Sequence, residues 1–460
     1  MGLDDLVGQW LLPGMALAAV GVFFCIKGYL LRRQMARDAL TDALTVGELR
    51  RRVHALVLGK RQRVYSGAMF LVEVVHHPEL SAMLGLEDNK LLLAMIAQRL
   101  QMQSDYFQVA RHSSDSFMVW APDLDPRSAR DVAPEVLDAL SQPYELRGQP
   151  LIVGFRLSGA LYAQHGACFD ELERSLHIAM LHLDESAGAA WNMFEPSMLE
   201  HQRHYQGLEH DLRVALVSSS MDQFEVCYQP VCDSVTGTIY GCEALLRWHH
   251  PVHGDVSPAL VIELAERTGL IVPLGAWVLE TACSRAITWP AAWRLHVNVS
   301  VRQMYADELP AQVALALALA ASRLSAQRLV LEITESLFIQ QYERHVATLN
   351  GMRAKGVRVA LDDFGAGYSS LTHLRRLPID WVKLDRGFVA EIEFDAVSRE
   401  VVSALMGMCR ALGLAVVAEG VETPAQREIL KALGCREMQG FLLGRPVSAE
   451  RIRELGAAVS

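Results

Sequence analysis

A chain of 460 residues is long enough for two or three domains, each burying its own core. Its formal charge of -10 and pI of about 5.9 set it against the phosphates of DNA and RNA, so neither nucleic acid is expected as a partner. Hydrophobic residues make up 51% of the chain, concentrated near the start, and 8 cysteines without a CxxC pair imply neither zinc nor a disulfide framework and fit reduced, buried thiols in a cytosol.

Trp10 to Ile26 reads WLLPGMALAAVGVFFCI and is followed by Lys27, Tyr29 and the cations Arg32, Arg33 and Arg37. Counting on to Leu31 and letting Lys27 snorkel, the run reaches the roughly 20 residues that a membrane-spanning helix needs. Asp4 and Asp5 precede it and the arginines follow it, the reverse of a cleaved signal peptide. A buried core helix would account for the apolar run but not for the one-sided arginines. Residues 1–35 are therefore expected to be a single-pass anchor in the inner (cytoplasmic) membrane, with everything after Arg32 in the cytoplasm.

Leu40 to Leu56, LTDALTVGELRRRVHAL, reads as an amphipathic helix continuing from the anchor. Ser66 to His77 and Phe107 to Pro122 have strand character, with a helical stretch around Asn89 to Gln101 between them. ARHSSDSF sits where a hairpin turn belongs, and His76 and His77 before Pro78 read as a strand-end turn rather than a metal pair. An α/β domain over residues 36–199 follows. These pieces resemble the GGDEF family of diguanylate cyclases, a nucleotidyl-cyclase-like fold, from Asp38 to Ala190, with Asp38, Leu40, Thr41 and Leu44 matching its opening signature. The family's signature turn falls on Ser113, Ser114, Asp115, Ser116 and Phe117, so serine replaces both glycines and the metal-binding acid. Glu73 stands where the family has a metal-binding aspartate, and Ser104 to Phe107 matches neither end of its inhibitory RxxD. The resemblance implies a catalytically dead domain kept for regulation or dimerisation.

From Tyr205 to Leu455, short β-branched runs alternate with helical patterns at the length and rhythm of a (β/α)8 barrel. TIYGCEALLRW carries Glu243, RLHVNVSV carries Asn298, LVLEITES carries Glu332 and Glu335, and VRVALDDFG carries Asp362 and Asp363. IDWVKLD carries Lys383, LAVVAEGVE carries Glu419 and Glu422, and REMQGF carries Gln439. In a parallel barrel such strand ends converge on one mouth, where catalysis is built. On a regular strand Asp362 and Asp363 would point opposite ways, so both face one site only where the backbone turns, a turn that Gly365 and Gly367 would supply. That pair alone is open to three readings: a solvated turn, a proton-sharing acid pair, or a metal site.

The whole set favours metal. Burying Glu243, Glu332, Asp362, Asp363 and Glu419 around one rim would cost several kcal/mol per unpaired charge, and Lys383 alone does not offset that. An oxygen ligand set without a usable cysteine or histidine points to Mg²⁺ or Mn²⁺. With Asp362 able to bridge two ions, it suits two-metal activation of water for in-line attack on a phosphodiester. Arg247, four residues after Glu243, would offer a planar donor fork to a phosphate, whereas His249, His250 and His253 lack a ligand set that would complete a zinc site.

Seven motifs in order, EALLRW, VNVS, LEITES, LDDFGAGYSSL, VKLDRGFV, VVAEGVET and QGFLLGRP, are similar to those of EAL phosphodiesterases, which open cyclic di-GMP to linear pGpG. The resemblance implies Glu243, Asn298, Glu332 and Asp362 as ligands of one ion and Asp362 and Asp363 at a second. It further implies Lys383 orienting or activating the water, Glu419 as the base and Glu335 supporting the loop after Asp363. Substrate contacts would come from Gln229 in YQP, Arg247, Gln439 and Glu422. Ala366 departs from the threonine usual in the family's metal-linked loop. The function expected over residues 205–455 is a membrane-anchored cyclic di-GMP phosphodiesterase with two Mg²⁺ or Mn²⁺ ions per site. The alternative is a weakly active receptor of the same nucleotide, or a scaffold acting through protein contacts. A homodimer through the barrel is also implied, and an anchor would favour it by confining encounters to a plane.

Overall fold

Asp38 determines how the N-terminal unit begins. Its carboxylate accepts from the Thr41 amide at 2.9 Å and the Thr41 hydroxyl at 2.8 Å, and Asp42 takes a left-handed φ of 54°. A side chain that captures backbone donors in this way competes with helix formation. The helix expected to run on from the anchor is therefore interrupted: Leu44–Thr45 forms strand β1, and the helix spans Val46–Gly59. The computed structural model describes residues 36–59, 66–183, 189–217, 221–305, 308–319, 324–338, 341–365 and 374–457, so the expected anchor, Ala366 and Gly367 lie outside the described residues. No helix among the described residues is long and apolar enough to cross a membrane.

The chain forms two compact units that divide between His204 and Tyr205, inside the helix Pro196–Val217. In the first unit, β2 (Gly67–Val74), β3 (Gln108–Arg111), β4 (Ser116–Pro122), β7 (Phe155–Leu161) and β8 (Ala189–Met193) join β1 in a six-stranded sheet of order β1-β3-β4-β2-β7-β8. A separate hairpin pairs β5 (Tyr144–Leu146) with β6 (Gln149–Leu151). Alternation explains the layers. Phe70 and Val72 of β2 pack with the helices His77–Met102 and Pro126–Ser141, whereas Met69 and Leu71 pack with Val46–Gly59 and Phe169–Leu181. The ARHSSDSF stretch does form the turn of the antiparallel β3–β4 hairpin, with Arg111 opposite Phe117. Cys168 is exposed, unlike most of the other cysteines, which are buried as expected.

The second unit is an eight-stave barrel: β9 (Phe224–Asp233), β10 (Ile239–His250), β12 (Arg294–Asn298), β13 (Leu329–Thr334), β14 (Arg358–Phe364), β15 (Trp381–Leu384), β16 (Ala415–Ala418) and β17 (Glu437–Met438). A short β11 (Gly254–Val256) folds back on the far end of β10. Seven staves are parallel in chain order, but β9 runs antiparallel to both β10 and β17, correcting the all-parallel expectation. The cause is local. The Asp233 carboxylate accepts from the amides of Val235 at 2.8 Å and Thr236 at 2.7 Å, and takes the Tyr240 hydroxyl at 2.6 Å. That tight turn leaves no room for the crossover helix a parallel pair requires, so β9 and β10 form a hairpin.

Candidate active site

Strand register gathers the acids. Glu243 stands opposite Gln229 of β9 and His296 of β12, Asn298 stands opposite Glu332, and Thr334 opposite Asp362. Glu243, Glu332, Asp362 and Lys383 sit within their strands rather than at the last residue, while Glu419 and Gln439 follow β16 and β17 directly.

Their common centre is the Lys383 ammonium, which is almost wholly buried. Its Nζ lies 2.7 Å from Glu332 Oε2, 2.7 Å from Glu419 Oε1, 3.2 Å from Asp362 Oδ1 and 3.4 Å from Glu243 Oε2. Burial would lower its pKa, but the four carboxylates override that and raise it well above the usual lysine range, so it stays charged. Burial, with the neighbouring acids, lifts Glu332 well above the usual carboxylate range and Glu419 to about 7, with Lys383 opposing both rises. Burial acts on Glu243 too, but Lys383 and the amides of Gln439 and Asn298 outweigh it and hold Glu243 below that range.

The Asp362–Asp363 pair is placed by a defect in the ladder. Between Leu361 and Phe364, β14 carries one residue more than β15, a bulge, and Asp363 adopts a left-handed φ of 51° there. The turn thus starts on Asp363 itself, ahead of the glycines. Asp362 Oδ1 accepts the Asp363 amide at 3.0 Å, and Glu335 Oε1 accepts the amide of Gly365 at 3.2 Å, so Glu335 does hold the chain after the acids. Gly365 needs to be glycine: its φ is 99°, and a Cβ would lie 2.4 Å from the Phe388 ring. Ligand oxygens of Asp362, Asp363 and Glu419 lie within 4.8 Å of one another.

Amides complete the rim. Asn298 Nδ2 donates to Glu243 Oε1 at 2.6 Å, and Gln439 Nε2 donates to Glu243 Oε2 at 2.7 Å and to Gln229 Oε1 at 3.0 Å. Gln229 in turn donates to the Gly444 carbonyl at 3.1 Å. Gln439 Oε1 is buried with no hydrogen-bond partner among the described residues, an acceptor left open at the rim. Arg247 is half-buried and lines a cavity of about 950 Å³ together with Asn298, Ser300 and Thr334, so the cavity adjoins the acidic rim at Asn298. Glu422 is exposed on the loop after β16, where its backbone amide donates to Gln426 Oε1 at 2.8 Å. No hydrogen bond or ion pair ties its side chain to the cluster among the described residues.

A family model for the EAL domain matches residues 209–446. This chain belongs to the EAL domain family. It is 38% identical to the bifunctional diguanylate cyclase/cyclic di-GMP phosphodiesterase MucR of Pseudomonas aeruginosa, over 79% of this chain and 53% of that protein. A solved structure of the PaMucR phosphodiesterase in complex with c-di-GMP is 44% identical, with a TM-score of 0.51, covering 54% of this chain and 99% of that one. Vibrio cholerae LapD, solved as S helix-GGDEF-EAL bound to c-di-GMP, shares the fold alone: 16% identity and a TM-score of 0.58 over 91% of this chain and 98% of that one. The chain spans about half the length of the curated relatives it matches.

The EAL domain also contains a polar residue that the motifs did not reveal. His296, two residues before Asn298 on β12 and so on the same face, is buried and its Nδ1 lies 2.9 Å from Glu332 Oε1. Burial, with Arg294 and Lys383 adding, pushes its pKa down to about 3, so the ring is neutral and Nδ1 donates its hydrogen to Glu332. The alternation in RLHVN was the available signal.

Proposed function

We propose that this chain hydrolyses cyclic di-GMP to linear pGpG as a divalent-metal-dependent phosphodiesterase. One observation carries the reading: five carboxylates converge on a site where a single buried ammonium is the only cation hydrogen-bonded among the described residues. Burial and the neighbouring acids hold Glu332 well above the usual carboxylate range, and hard divalent ions are the partners that would relieve that crowding. The oxygen donors and the orphaned Gln439 Oε1 fit Mg²⁺ or Mn²⁺. Glu243, Asn298, Glu332 and Asp362 would hold one ion, and Asp362 and Asp363, with Glu419 in reach, a second. Such ions would supply Lewis-acid activation of a water and charge relief on the phosphodiester.

The residues then have distinct tasks. Lys383, fixed by four carboxylates, keeps Glu332 and Glu419 in place and offers its ammonium to the attacking water. Glu419, with one oxygen taken by Lys383 at 2.7 Å, keeps the other for that water's proton, which a pKa of about 7 suits. The Gln229–Gln439–Glu243 chain orients Glu243. Arg247 holds a phosphate of the nucleotide in the cavity beside Asn298. Glu422 would contact the substrate from the loop after β16. The c-di-GMP complex of PaMucR, at 44% identity, supports cyclic di-GMP as the substrate.

We further read residues 1–35 as an inner-membrane anchor that keeps the barrel in the cytoplasm, with a homodimer through the barrel. The N-terminal unit is read as a dead GGDEF domain: Glu73 is tied to Arg156 at 3.1 Å, and Ser113 Oγ lies 2.5 Å from Ser116 Oγ where the cyclases carry glycine and acid. The purified chain, incubated with cyclic di-GMP and Mg²⁺ or Mn²⁺, is expected to release pGpG, followed by chromatography. Bound nucleotide without product would favour the receptor reading instead. Arg247→Ala is expected to lower kcat/KM by about 10- to 100-fold, the worth of a charge-assisted hydrogen bond to phosphate. An unchanged value would take Arg247 out of substrate binding.

A further inference from the structure

Beyond the barrel, the N-terminal unit brings three metal-ligating side chains together. His112 follows β3 directly, two residues after Ala110, whose side chain packs on the sheet face covered by the helix Phe169–Leu181. His112 therefore points to that helix, and Glu173 and His177, four residues apart on it, share one side. Ligand atoms of His112, Glu173 and His177 all lie within 4.8 Å of one another. His112 Nε2 is 3.5 Å from Glu173 Oε1, and the two imidazole rings are 5.4 Å apart between centroids at 47°. Tetrahedral zinc, with bonds of about 2.0–2.1 Å, needs ligand atoms roughly 3.3 Å apart, so small side-chain rotations close the set.

The outer partners are also present. His112 Nδ1 lies 2.9 Å from Ser116 Oγ, which leaves Nε2 for a metal, and Arg50 Nη2 lies 3.4 Å from Glu173 Oε2, which leaves Oε1. Asp170 takes the other terminal nitrogen of Arg50 and offsets its charge. We propose that His112, Glu173 and His177 bind one divalent transition-metal ion, zinc, with an open fourth position. The site would clamp the β3–β4 hairpin to the helix. Two imidazoles and one carboxylate select a softer ion than the all-oxygen rim of the barrel does, so the two sites are separable by metal.

The test uses the full chain stripped of metal and titrated with Zn²⁺ against a chromophoric chelator, with Co²⁺ as a spectroscopic probe. Wild type is expected to take up one Zn²⁺ more than either His112→Ala or His177→Ala, with affinity at this site reduced on the order of 100-fold or more in the variants. The visible d–d absorption of Co²⁺ at the site is expected to vanish with it, while Mn²⁺-supported pGpG formation stays at the wild-type level. If an alanine variant melts lower than wild type without metal, Glu173→Gln, which keeps the side-chain shape, decides. Equal zinc uptake and unchanged Co²⁺ spectra in wild type and variants would overturn the site, leaving an ion pair and two adjacent rings.

Discussion

Replacing Glu243 by alanine is expected to lower pGpG formation on the order of 100-fold or more, a few kcal/mol of lost barrier lowering. The size follows from how much the carboxylate joins. Oε1 takes the Asn298 amide at 2.6 Å, and Oε2 takes Gln439 at 2.7 Å and faces Lys383 at 3.4 Å. Alanine removes one proposed metal ligand and frees both amides to rotate out of the rim. It also strips Lys383 of a partner, tightening its hold on Glu332 and Glu419. A loss of metal affinity predicts that raising Mn²⁺ restores part of the turnover. Stability is expected to change little, because removing one of several crowded carboxylates relieves repulsion at Glu332. Turnover equal to wild type at saturating nucleotide would remove Glu243 from the mechanism.

The acids were legible in the sequence because a strand entering the mouth of a barrel must change from apolar to functional residues within one or two positions. Glu332, Asp362, Lys383 and Glu419 all show that break after an apolar run, and the structure brings them within 3.2 Å of one ammonium or provides it. The pair at Asp362 and Asp363 was readable as a turn, but its cause, a bulge with a left-handed aspartate, depends on the partner strand β15 and is invisible in one segment. Direction was the harder property. Gln229 reaches Glu243 by cross-strand register on an antiparallel β9, and only the Asp233 turn, four residues on, records that reversal. His296 was hidden for another reason: between apolar neighbours, a neutral buried histidine looks like core until the partner strand supplies Glu332. The helix expected after the anchor failed on a single carboxylate, Asp38, whose local bonding outweighs the amphipathic pattern behind it.

Lys383→Met tests whether the rim is a charge cluster at all, and its effect on stability is expected to depend on pH and on divalent ions. The methionine fits the space of the stem, so packing changes little, and the loss is electrostatic. Lys383 opposes the rise of both Glu332 and Glu419, and without it their pKa values climb further. A carboxyl whose folded pKa exceeds its unfolded value of about 4.3 costs nothing at pH below that value, where it is protonated in both states. The cost appears as pH rises toward the folded pKa, because the unfolded chain ionises and the folded one cannot. The variant is therefore expected to melt close to wild type near pH 5 and to lose on the order of 3–5 kcal/mol by about pH 8 in chelator-treated buffer, the usual cost of breaking a buried ion pair. Added Mn²⁺ is expected to narrow the gap at the higher pH, since ions bound among the same oxygens take over the missing charge and stabilise the folded state by mass action. Calorimetric melting at both pH values, with and without Mn²⁺, measures all four corners. A gap that is constant with pH and indifferent to Mn²⁺ would mean that the lysine acts through its stem alone, and that the acids around it are not the frustrated, cation-seeking set on which the hydrolase reading depends.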